Sequence, residues 1–285
     1  MSNKFSIKIR DGYILIESSQ KEMASLKIKE WETNFFKRKF GTLSIVHSVF
    51  GSLACEAMHD ALDSILTYAD NNQFDLIELH LNILGTNLVP VLEDKGFRLV
   101  DTRVTFITLV QKQNIKNYSY QIGKIHLATK SELSDLLHLT HEALTNNPSF
   151  FSRFKNRSYF SKEETERYFS AWIENHLDDR NTYFAVLKKG EKIIGYYIWK
   201  RAGIYKGKQI YKGILTAVAT EYRGYNLQNT MQSFIYDNFP EEKFYLDNTT
   251  QLTNYPIIKH HIRTRKNIDR IEMTFYRSKD PLTHV

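Results

Sequence analysis

Apolar and polar residues change their period several times along the chain, and each change marks an element. Residues 5–18 alternate around Asp11-Gly12, a turn dipeptide, and predict a hairpin. Residues 54–71 place Ala57, Ala61, Ile65, Leu66 and Ala69 at helical spacing. A strand over 74–81, a short helix over 87–97 ending at Gly96, and a strand over 101–111 follow. The stretch 112–124 is polar and without helical period, which predicts a domain boundary near 113–120 and domains of 1–115 and 120–285. The second half starts with a strand at 125–129 and a helix at 131–143, with Thr129 and Glu132 as a capping box. A helix at 161–177, a hairpin at 182–200, a strand at 209–220, a helix at 224–238, a strand at 243–247, a short helix at 255–262 and a strand at 268–277 complete it. Each half closes on helix, strand, short helix, strand. Asn87 and Thr105-Phe106 in the first half echo Asn254 and Thr274-Phe275 in the second. The fold class expected is α/β with two domains.

Composition narrows the picture. Of 285 residues, 42% are hydrophobic and 25% charged, which excludes a disordered or collagen-like chain. The net charge of +7 admits an anionic partner: nucleic acid, a lipid headgroup or a phosphorylated small molecule. The lone Cys55 excludes an internal disulfide or a Cys-rich zinc site, and its apolar helical setting reads as a small buried hydrophobe. The ten histidines form no His-x-x-x-His pair, so no metal site is expected. No window approaches the ~18 apolar residues of a membrane span, and the start does not read as a signal peptide. A cytoplasmic protein without a membrane partner is expected. The basic run 258–270 carries no helix-turn-helix, zinc-finger or RNA-recognition signature, so nucleic acid is not the expected partner.

The richest segment is 214–235. An apolar strand runs to Val218, a polar turn carries Arg223-Gly224, and a helix begins. A strand-turn-helix with glycine at the turn points backbone N–H groups outward, and together with the helix N-terminus these bind phosphate. A plain strand-to-helix turn has the same local pattern.

The segment Ala217–Met231 resembles motif A of the GCN5-related N-acetyltransferase (GNAT) superfamily, matching at Val218, Tyr222, Arg223, Gly224 and Leu227. Asn226 stands at the first signature glycine and Gln228 at the second small position. Asn tolerates left-handed backbone angles; Gln is a larger departure. The hairpin with Ile194-Gly195-Tyr196-Tyr197 is similar to the pair preceding that motif, and Thr250, Gln251 and Asn254 match motif B, whose tyrosine position falls on His261. More narrowly, the chain resembles the TDP-fucosamine acetyltransferase type of sugar-nucleotide N-acetyltransferase. The matches are Trp31-Glu32-x-x-Phe35-Phe36 with Gly41, then Gly96-Phe97 with Val100-Asp101-Thr102-x-Val104-Thr105-Phe106, and Ser152-Arg153-Phe154.

The resemblance implies a GNAT-like mixed sheet flanked by helices, with an N-terminal partial GNAT-like domain and a C-terminal domain that binds acetyl-CoA. It implies cofactor contacts at Ala217, Val218, Thr220, Arg223, Gly224, Tyr225, Asn226, Leu227, Gln228 and Asn254. It implies an acid that protonates the leaving thiolate, and either His261 or Tyr255 could serve. The small-molecule amine acceptor it points to is an amino sugar on a nucleotide carrier, met by Arg153 and Phe154, with Lys155 and Arg157 beside them. A homodimer is compatible with it. Two other readings stay open: a GNAT-fold binding module that has lost catalysis, and an acetyltransferase for a peptide or other amine. Trp31, Phe35 and Phe36 read as core of the first domain.

Overall fold

The computed structural model describes residues 6–10, 13–18, 21–46, 55–114 and 122–279. The Asp11-Gly12 turn, most of the expected boundary at 113–120 and the Cys55 side chain lie outside them. Among the described residues, no helix is long and apolar enough to cross a membrane. The chain forms two compact units. One holds residues 1–103, 156–160 and 270–285; the other holds 104–155 and 161–269.

In the first unit, strands β1 (Ser6–Arg10), β2 (Tyr13–Ser18), β3 (Lys21–Ile28) and β4 (Phe40–Ile45) form an antiparallel meander. Helix α1 (Glu30–Phe36) joins β3 to β4. Helix α2 (Cys55–Asn71) crosses from β4 to β5 (Leu76–Asn82), which pairs parallel to β4. A short helix α3 (Val89–Asp94) then leads into β6 (Arg98–Gln111), along which the chain passes into the second unit. The apolar stripe of α2 buries Ala61, Leu62, Ile65, Leu66 and Ala69 against Ile14, Ile16, Ala24 and Leu43 of the strands.

Strands β3 and β4 and the helix between them were not among the elements the sequence predicted. Phe36 is core, packing 5.1 Å from Phe160, but Trp31 is 39% exposed and stacks on the half-buried Phe35. Only one of the three expected core aromatics is therefore core. The glycine ten residues after Trp31 has a steric reason: a Cβ on Gly41 would lie 2.8 Å from the Phe74 ring and 2.9 Å from Leu26.

In the second unit, β7 (Lys124–Leu127), β8 (Thr182–Lys189), β9 (Lys192–Tyr205) and β10 (Lys208–Val218) are antiparallel. Strand β11 (Lys243–Gln251) pairs parallel to β10, and the residues of β6 in this unit border β11. Helices α4 (Leu133–Thr140) and α5 (Lys162–Asp178) join β7 to β8, α6 (Leu227–Asn238) joins β10 to β11, and α7 (Tyr255–Arg263) follows β11. The expected capping box is present: Glu132 accepts from the Thr129 amide at 3.0 Å. Leu227, Met231 and Ile235 of α6, with Phe239 just after it, pack on Leu187, Trp199, Tyr211 and Phe244.

The final strand β12 (Asn267–Ser278) is where the chain departs furthest from a simple order. From residue 270 it belongs to the first unit and pairs antiparallel with β5, Thr274 opposite His80 and Phe275 opposite Leu79. The two closing strands are exchanged: β6 ends in the second unit, β12 in the first. Strand pairing is a long-range interaction, and the local pattern of 268–277 carries no information on its partner.

Gly41→Ala is expected to lower stability by about 1–3 kcal/mol through overpacking against Phe74. Urea unfolding measures this, and an unchanged midpoint would contradict the contact.

Candidate functional site

The site begins with a break in strand pairing. Strands β10 and β11 pair as far as Gly213 opposite Asn248, and there their register ends. On its other side β10 stays paired with β9 to Val218 opposite Gly195, with a register shift between Gly213 and Leu215. A bulge at this point bends the strand and increases its twist. Peptide groups of 214–218 thus have no strand partner on the β11 side.

After β10 the chain makes a short turn over Thr220–Tyr222 and reaches α6. Gly224 has φ +87° with open space where a Cβ would be, and Asn226 sits in the left-handed region at φ 60°. Asparagine thus adopts a left-handed backbone shape that glycine takes readily. Its side chain accepts from Asn229 Nδ2 at 2.6 Å. The amides of Gly224, Tyr225 and Asn226 have no acceptor among the described residues. Those of Leu227 and Gln228 open the helix without a side-chain cap, so they too lack intrahelical partners.

These groups border a cavity of about 600 Å³ lined by Ala217, Val218, Arg223, Gly224, Asn226, Leu227, Gln228 and Asn254, with Gln251, His260 and Arg263. Two residues expected here stand apart: Tyr225 is 61% exposed and the exposed Thr220 lies outside the lining. Arg223 and Arg263 supply positive charge, and no carboxylate lines the wall.

A second cavity of about 150 Å³ shares Thr216, Gln228, Gln251 and Asn254 with the first. Its wall is aromatic (Phe150, Phe154, Phe169, Trp172 and Tyr197) and polar (Asn248, Thr249, Thr250 and His261), with Arg153 over the Phe154 ring at 4.6 Å. The expected basic cluster divides. Arg153 lines the cavity, whereas Lys155 Nζ donates to the carbonyls of Leu144, Asn147 and Phe150 at 2.8–3.2 Å and braces its loop. Arg157 donates to the Phe160 carbonyl within the first unit.

His261 and Tyr255 separate as helical spacing requires. Tyr255 is 66% exposed and lines neither cavity, which is at odds with a catalytic role. His261 is 2% exposed, packs 4.7 Å from the Phe106 ring, and its Nδ1 has no partner. Burial, then the charges of Lys266 and His260, push its pKa down to about 2. His260 is lowered to about 4 by burial and Lys266. The expected imidazolium acid at 261 is thus replaced by a neutral ring. Lys266 Nζ is itself buried without a partner, and burial lowers it to about 7.

Sequence reasoning missed Asn248, Tyr197 and Arg263 as lining residues. Asn248 adjoins the motif B match at Thr250, a signal that could have found it.

No family model matches the sequence, and no curated protein matches it. Solved structures match over nearly the whole chain. A GCN5-related N-acetyltransferase from Sphaerobacter thermophilus superposes with a TM-score of 0.59 at 12% identity, covering 98% of this chain and 84% of that one. A tandem GNAT protein from the clavulanic acid biosynthesis pathway gives 0.53 at 11%, covering 94% and 83%. The fold is that of the GCN5-related N-acetyltransferases. A conserved protein of unknown function from Staphylococcus epidermidis ATCC 12228 is similar too, with a TM-score of 0.61 at 9% identity over 98% of this chain and 96% of that one. The fold class expected from the sequence is found: two units, with mixed β-sheet flanked by seven α-helices among the described residues.

The buried basic groups make stability depend on pH. The folded pKa values lie below the unfolded ones, so the unfolded chain binds more protons and stability falls as pH falls. Lys266 acts between about 10.5 and 7. His260 acts between 6.5 and about 4, and His261 between 6.5 and about 2. Each contributes a slope of about 1.4 kcal/mol per pH unit inside its window. Lys266→Met is expected to flatten the alkaline limb in melting curves taken across pH; an unchanged limb would contradict the burial of Nζ.

Proposed function

We propose that the protein is an N-acetyltransferase that moves an acetyl group from acetyl-CoA to an amine in the cytoplasm. The observation that carries this reading is the parted end of β10 and β11 beside an uncapped helix N-terminus, both opening on the larger cavity. Bound acetyl-CoA would supply a thioester, from which the amine would take the acetyl group as the C–S bond breaks and the CoA thiolate leaves. The free amides at 224–228, with Arg223 and Arg263, suit a pyrophosphate. The unpaired peptide groups of 214–218 suit an amide-bearing arm and a carbonyl oxygen that gains charge as the amine attacks.

The amine enters from the smaller cavity. His261 is neutral there, so it can hold the amine or its neighbour by a hydrogen bond, but it carries no imidazolium proton. The acceptor must arrive unprotonated, and its proton leaves to solvent. The acceptor we favour is an amino sugar on a nucleotide carrier, as in the TDP-fucosamine acetyltransferase type. Aromatic faces suit a sugar ring, amides and hydroxyls suit its oxygens, and Arg153 suits a phosphate. A lysine side chain or polyamine fits less well, because no carboxylate lines this cavity. The lack of an ionised proton donor in either lining favours one other reading, a binding module without catalysis.

Calorimetric titration with acetyl-CoA separates them. Micromolar binding that Arg223→Ala weakens about tenfold is expected; no binding up to millimolar cofactor overturns the proposal. The pH profile of kcat/KM is expected to follow the acceptor amine alone. A limb near pH 6.5 that disappears in His261→Gln would instead make the imidazole a titrating participant.

A further inference from the structure

Residues 143–154 form one stretch of chain that walls both cavities. Helix α4 passes at its end into a π-helical turn over His141–Thr145, closed by the Asn146 amide donating to the His141 carbonyl at 2.9 Å. Such turns are rare and recur at functional sites. Ala143 and Leu144 of this turn line the larger cavity, and Asn147, Ser149, Phe150 and Phe151 extend the same wall. The second half of the stretch borders the smaller cavity through Phe150, Ser152, Arg153 and Phe154. Phe150 belongs to both walls.

Lys155 ties the two halves together. Its backbone belongs to the second half, where its amide donates to the Ser152 carbonyl at 2.9 Å. Its ammonium reaches back to the first half. There it donates to the carbonyls of Leu144 at 3.2 Å, Asn147 at 2.8 Å and Phe150 at 3.1 Å. An ammonium has three N–H donors and no acceptor, so three converging carbonyls are its complement. Leu144 lies in the last helical turn, where the peptide dipoles leave negative partial charge that a cation offsets. The same Nζ lies 5.8 Å from the centre of the Phe150 ring, which packs edge-on against Phe169 at 6.0 Å.

A loop is costly to order, since each residue fixed gives up conformational entropy. One cation offsets that cost at three points. It also fixes the spacing between the wall of the larger cavity and the wall of the smaller. Loops packed around their own side chains in this way are frequently functional.

We propose that Lys155 is a positioning residue for both cavities: its ammonium holds the wall they share, so ligand affinity depends on a side chain that lines neither. The bracing stands on the loop geometry; its effect on acetyl-CoA rests on the acetyltransferase reading.

The test uses the full chain and two readouts that need no turnover: hydrogen exchange of the amides of 143–154, and calorimetric titration with acetyl-CoA. Lys155→Met keeps most of the stem and removes the ammonium. It is expected to speed exchange in 143–154 by about tenfold or more while α5 exchanges as in the wild type. It is expected to weaken acetyl-CoA binding about tenfold, because the wall must then be ordered on binding. Lys155→Arg keeps the charge and several donors and is expected to recover most of both. Should Lys155→Met not fold, Lys155→Gln, uncharged and with two donors, takes its place. Lys188→Met is the control. It removes a lysine of the same unit that pairs with Glu132 at 3.1 Å and lines neither cavity. It is expected to lower the melting temperature and leave acetyl-CoA affinity unchanged, which separates lost stability from lost positioning. The proposal is overturned by unchanged exchange in the folded Lys155 variant, or by faster exchange with unchanged affinity. It is equally overturned if Lys188→Met weakens acetyl-CoA as much. A wild-type protein that binds no acetyl-CoA overturns the acetyltransferase reading and this proposal with it; binding that ignores Lys155 overturns this proposal alone.

Discussion

The whole site depends on one interruption: β10 and β11 stop pairing after Gly213 and Asn248 while β10 remains fixed to β9. A parallel pair satisfies its peptide groups continuously, and a shift of register on one side bends the strand away from the other. Residues 214–218 lie beyond the last pair with β11, Thr216 and Gln251 border both cavities, and the chain runs from the end of β10 through a short turn to the uncapped start of α6. A strand that stayed paired to its end would leave neither free amides nor space.

Around this gap the protein tolerates unusual electrostatics. His260, His261 and Lys266 lie within a few residues of one another on α7 and the turn after it, and burial lowers all three pKa values. Burying bases drives them toward their neutral forms, since charge is poorly solvated there. Of the three, His260 lines the larger cavity and His261 the smaller, each as an uncharged ring. Positive charge comes from Arg223 and Arg263 on the larger cavity and from Arg153 on the smaller.

The motif A departures look different once the backbone is known. Asn226 takes the left-handed conformation that glycine would take, so the turn keeps its shape. Gln228 does not close the turn; its side chain leads inward to Tyr197. A motif written in residue types records these as losses, whereas the geometry of the turn is retained.

Several features were legible in the sequence because they are local. The amphipathic α2, the capping box at Thr129 and Glu132, and the strand-turn-helix at 217–228 each rest on neighbours a few residues apart. Of the residues expected together there, Ala217, Val218, Arg223, Gly224, Asn226, Leu227 and Gln228 line the larger cavity, while Thr220 and Tyr225 are exposed outside it. The separation of Tyr255 from His261 followed from helical spacing, although not which of them faces inward. What only the tertiary structure decided is long-range. It passed β12 to the first unit and β6 to the second, left Trp31 at the surface, and committed Lys155 to three carbonyls. It also took the proton from His261 by burying it. Propensity and spacing are properties of a short segment, but pairing, burial and pKa are properties of whatever the fold packs against it.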